Sequence, residues 1–100
     1  MLEANRSHSV MFWTELRMFL EVANAQSFNK AGQILGTSHA KVGRAVRRLE
    51  EELGISLIAE AYGRGVKLTP AGKRLARDLA PIDRELAKTL ASLTVGRNRA

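Results

Sequence analysis

Two glycine-stopped amphipathic runs stand almost end to end in the middle of this chain, and their spacing constrains the fold more than any other feature. Phe28, Ala31, Gly32 and Leu35 fall on one helical face. Gly36 stops that run, because glycine accepts the left-handed backbone that a helix end often needs. Thr37 and Ser38 offer a new N-cap at once, and Val42, Val46, Leu49 and Leu53 then recur at helical spacing until Gly54. The pattern predicts helices over 28–35 and 38–53. Two helices joined by so short a turn must cross sharply, as in a helix-turn-helix.

The flanks extend this reading. Leu16, Phe19, Leu20 and Ala23 predict a helix over 13–25, preceded by a loose arm over 1–11. Ser27 is placed to cap the helix that follows. After Gly54 the period changes, and Ile55, Leu57 and Ile58, then Val66 and Leu68, suggest two short extended pieces. Tyr62, Gly63, Arg64 and Gly65 form the bend between them, with the arginine at the tip. Thr69-Pro70 reads as a cap followed by proline at the first helical position. Leu75, Leu79, Ile82, Leu86 and Leu93 then mark a heptad seam in a helix over 70–93, with Thr89 in the missing place. Pro81 inside it predicts a kink. Residues 94–100 read as a polar tail. The seam suits pairing with a second copy; the alternative is a helix folded back on its own domain.

Composition narrows the class. A chain of 100 residues, 45% apolar and 26% charged, suits one compact domain and not a disordered one. The absence of cysteine excludes a disulfide scaffold, a thiolate metal site and a thiol nucleophile. No apolar run approaches the roughly 20 residues of a membrane span, and residues 1–9 lack the form of a targeting segment. A cytoplasmic location is therefore expected. Sixteen Lys and Arg against ten Asp and Glu leave a net charge of +6, which favours polyanions, nucleic acid first and an anionic membrane surface second.

Position decides between them. Residues 1–36 are neutral overall, whereas Lys41, Arg44, Arg47 and Arg48 crowd the front of the 38–53 helix and Glu50, Glu51 and Glu52 its rear. On a helical wheel with Val42 at zero, Ala40, Arg44 and Arg47 lie about 140–200° away, flanked by Lys41 and Arg48. The apolar stripe therefore faces inward and the cationic stripe outward. Such a helix fits a major groove about 12 Å wide. Ser38, His39, Ala40, Gly43 and Arg44 are the candidates for base edges. Ser27, Phe28 and Asn29 are candidates for phosphate contact at the start of the preceding helix, and Lys41, Arg47, Arg48 and Arg64 for holding the backbone. A merely solvated basic face is the plainer alternative, and the basic hairpin tip beside it weighs against that.

The segments LRMFLEVANAQSFNKAGQILG, TSHAKVGRAVRRLEEELGISL and VKLTPAG together resemble the N-terminal domain of LysR-type transcriptional regulators, from about Leu16 to Gly72. The resemblance implies a mostly α fold: a winged helix-turn-helix of three helices plus a short β-hairpin wing over 12–69, followed by a long linker or dimerisation helix over 70–93. It implies sequence-specific double-stranded DNA binding for transcription regulation, with a homodimer formed through Leu75, Leu79, Ile82, Leu86 and Leu93. Three departures bear on base preference and wing contacts. His39-Ala40 stands where the family usually has Gln and then Pro or Ala, Gly43 where it has Ser, and Glu60 where it has Arg.

Other functions fare less well. A winged-helix adaptor for proteins, using the basic face or the heptad helix, is the alternative. Enzyme chemistry is not expected: His8 and His39 have no carboxylate pair, metal-ligand spacing or phosphate loop beside them. No cofactor and no metal site are expected. The ligand-sensing domain that the resemblance places after the linker helix is not among these residues, so no inducer pocket is assigned to them.

Overall fold

The computed structural model describes residues 12–62 and 65–99; the expected arm (1–11), Gly63, Arg64 and Ala100 lie outside the described residues. The element order is α1 (Trp13–Ala25), α2 (Phe28–Leu35), α3 (His39–Leu53), β1 (Ile58–Tyr62), β2 (Gly65–Leu68) and α4 (Pro70–Arg99). The strands form a two-stranded antiparallel hairpin in which Ile58 faces Leu68 and Tyr62 faces Gly65. A bulge between Ile58 and Glu60 shifts the register, so Glu60 lies opposite Lys67.

Local chemistry sets the boundaries. The Ser27 hydroxyl accepts from the Lys30 amide at 3.1 Å and the Ser38 hydroxyl from the Lys41 amide at 3.1 Å, each supplying an acceptor to an orphan donor of a first turn. Gly36 and Gly54 close α2 and α3 in the left-handed region, at φ 72° and 68°. Thr69 caps α4 by accepting from the Gly72 amide at 3.0 Å, and its hydroxyl donates to the Ser56 carbonyl at 2.6 Å.

The three-helix core forms where the apolar stripes meet. Phe19, Val22, Ala31, Val42, Val46, Leu49 and Leu57 are each at most 2% exposed. Fully burying a side chain such as Phe19 or Leu49 contributes roughly 1.5–3 kcal/mol, so these stripes dominate the stability of the domain. The sharp α2–α3 turn depends on Gly32. A Cβ there would meet the Thr37 carbonyl oxygen at 2.8 Å and the His39 nitrogen at 3.1 Å. The hairpin is tied to the end of α1, where Gln26 takes the left-handed conformation (φ 57°) and its carbonyl accepts from the Val66 amide at 3.1 Å.

Helix α4 departs from expectation in two ways. It continues through 94–99, where a polar tail was expected. Gly96 and Asn98 are poor helix formers, which is why composition alone ended the helix early. The seam also divides. Leu75 packs against the core cluster and Leu79 is 5% exposed, whereas Ile82, Leu86 and Leu93 are exposed, joined by Leu90. Leu75, half-buried, and Leu79, buried, therefore take part in the domain's own packing. Heptad spacing is continuous along the helix, but the domain covers only its first turns. An ion pair of Arg17 Nε with Asp83 at 3.0 Å marks the end of the covered part.

Candidate nucleic-acid interface

The outward face of α3 follows from its inward one. Val42, Ala45, Val46 and Leu49 are buried, which fixes the rotation of the helix. Lys41, Arg44 and Arg47 are thereby turned to solvent, with Ser38, His39 and Ala40 exposed at the first turn and Gly43 half-buried. Among the described residues no carboxylate is paired with Lys41, Arg44 or Arg47. Their charge is therefore not neutralised within the described fold.

Arg44 stands on a ridge between two hollows. On one side an open groove of about 570 Å³ runs between α3 and the hairpin, bordered by His39, Ala40, Gly43, Arg47, Glu50, Ile58 and Ala61, with Phe28 at its wall. On the other side a smaller cleft of about 220 Å³ separates α3 from the start of α1, lined by Thr14, Glu15, Met18, Lys41 and Arg48. A Cβ placed on Gly43 would meet no described atom within 4 Å, so the backbone there is open to close approach.

Not every residue expected at the interface reaches it in the same way. Ser27 is 8% exposed with its hydroxyl committed to the α2 cap, and Phe28 packs against the core cluster. Of that trio Asn29 alone has an exposed side chain. Arg48 is not a free cation: its Nη1 lies 3.0 Å from Oε2 of Glu15, a carboxylate that is only 13% exposed. Arg64 lies outside the described residues.

The contacts of two acidic residues are not foreseen from the sequence. Glu15 is 33 positions from its partner Arg48, beyond any periodicity rule. Glu50 accepts from the Leu57 and Ile58 amides at 2.8 and 3.0 Å, both through Oε2. A signal for Glu50 existed. An acid in the last turns of a helix opposes the helix dipole, and such a local conflict often marks a tertiary contact. Among the described residues no group of three His, Cys, Asp or Glu is arranged to hold a metal ion. No described helix is long and apolar enough to cross a membrane.

A short two-helix crossing, an exposed cationic second helix and a hairpin beside it define a winged helix-turn-helix domain. The family model for the bacterial regulatory helix-turn-helix protein, lysR family, matches residues 13–73. The chain belongs to that family. It is 45% identical over 60 residues to the HTH-type transcriptional regulator TrpI of Pseudomonas aeruginosa, covering 60% of this chain and 20% of that protein. It is 38% identical over 76 residues to the regulator YfeR of Shigella flexneri, covering 76% of this chain and 24% of the relative. The chain thus spans about a quarter or less of these relatives' length.

Among solved structures, the BenM DNA-binding domain in complex with catB site 1 DNA superposes with a TM-score of 0.73 at 32% identity, covering 81% of this chain and 89% of that one. Full-length AphB, a virulence activator of Vibrio cholerae, gives a TM-score of 0.75 at 26% identity, covering 82% of this chain and 28% of that one.

Proposed function

We propose that this chain binds double-stranded DNA in a sequence-specific manner to regulate transcription, with α3 in the major groove and the 62–65 hairpin tip as the wing. One observation carries the reading: α3 buries Val42, Val46 and Leu49 on one side and on the other presents Lys41, Arg44 and Arg47, which no described carboxylate pairs. The likeness to domains solved with DNA supports it. Ser38, His39, Ala40, Gly43 and Arg44 face base edges in this arrangement. Asn29, Lys41, Arg47 and Arg64 hold phosphates, and Arg48 does so only in competition with Glu15. Ile82, Leu86, Leu90 and Leu93 form the unpaired stretch of α4 through which two copies associate.

Selection of binding sites from random duplexes tests this directly. The expected product is a pair of recurring half-sites, because a two-fold protein dimer reads a two-fold site. Arg44→Ala should relax base discrimination at one position by about 1–3 kcal/mol, whereas Lys41→Ala should weaken all sites alike. Recovery of no enriched sequence would sink the proposal and favour the protein-adaptor alternative.

A further inference from the structure

Glu50 collects four backbone amides from the segment that leads into the hairpin. Its carbonyl accepts from Gly54 at 2.8 Å and Ile55 at 3.2 Å, and its side-chain Oε2 accepts from Leu57 at 2.8 Å and Ile58 at 3.0 Å. The first two bonds are ordinary helix termination. The second two are not, because they reach past the helix end to the root of β1. Leu57 is 2% exposed, and its amide finds its acceptor in that oxygen. The carboxylate stands near the negative end of the α3 dipole, where local electrostatics disfavour it. Its position is intelligible only through the amides it holds.

We propose that Glu50 is a positioning residue that fastens the wing to the DNA-reading helix; this rests on the DNA-binding reading above. Glu50 lies one turn beyond Arg47 and borders the groove between α3 and β1. The hairpin has other moorings: β2 to α1 through Gln26, and the Thr69 amide to the Leu57 carbonyl at 2.9 Å. Among the described hydrogen bonds, the side-chain fastening from α3 itself is Glu50's. A duplex that engages α3 and the wing together requires their separation to be set beforehand, since ordering it at binding would cost affinity.

One detail makes the idea testable: both amides share a single oxygen. Glutamine retains one acceptor oxygen and removes the charge, so Glu50→Gln should preserve the fastening. Glu50→Ala removes it. Duplex binding should fall by about tenfold in Glu50→Ala, the size of one or two ordinary hydrogen bonds, and stay within about twofold of the parent in Glu50→Gln. The salt dependence should become shallower by about one unit in Glu50→Ala as wing contacts are lost. Unchanged binding by folded Glu50→Ala overturns the proposal, and so does a loss in Glu50→Gln as large as in Glu50→Ala, which would make the charge the cause.

Should Glu50→Ala fail to unfold cooperatively above the assay temperature, Glu50→Asp takes its place. It keeps the charge but withdraws the oxygen by one methylene; parent-like binding by this variant is likewise fatal. Hydrogen exchange at the Leu57 and Ile58 amides separates this idea from the DNA reading. Slow exchange in the parent and Glu50→Gln with fast exchange in the variant lacking the acceptor supports the fastening even if no duplex is bound. Equal rates in all of them overturn it.

Discussion

At the scale of single residues, the domain depends on a few close approaches that leave no room for a side chain. Gly72 is the tightest: a Cβ there would overlap the Leu57 carbonyl oxygen, which is backbone and cannot swing away. Gly72→Ala should therefore destabilise the fold by roughly 1–3 kcal/mol or more, read as a lower melting temperature. A melting temperature equal to the parent's would show that the start of α4 shifts freely against the hairpin root. The exposed cations of α3 were legible in the sequence because a helix of known rotation places them without further information. Arg48 is exposed, as the wheel predicts, but its ion pair was not legible. Glu15 comes from another helix, and only the packing of α1 on α3 brings the two together.

At the scale of elements, every helix start after α1 announced itself through a Ser or Thr cap, and the ends of α2 and α3 through glycine. Helix α1 lacks a side-chain cap; it opens on Phe12, whose carbonyl accepts from Leu16 at 2.8 Å. The division of α4 was not legible. Periodicity identifies a stripe but not the neighbour that covers it, and the fold gives Leu79 to the domain and Ile82 and Leu86 to solvent. The two halves should respond differently to truncation. Leu79→Ala should cost about 2–5 kcal/mol of stability through the cavity it leaves. Leu86→Ala should leave the stability of an isolated copy within about 0.5 kcal/mol yet weaken self-association, measured by sedimentation. A reversal of these effects would contradict the assignment.

At the scale of the whole molecule, burial and charge are arranged on opposite sides of one helix. The net charge of +6 is unevenly placed: the first 36 residues are neutral, and the cations of α3 stand clear of described carboxylates apart from Arg48. A merely soluble surface has no need of that asymmetry, whereas a polyphosphate partner does. The salt dependence of duplex binding tests the central claim most directly. If two copies each neutralise three phosphates through Lys41, Arg44 and Arg47, log K should fall against log salt with a slope of about −5 or steeper. Replacing all three by glutamine in the folded chain should remove most of that slope. Binding that ignores salt, or a slope that survives the triple replacement, would contradict the account.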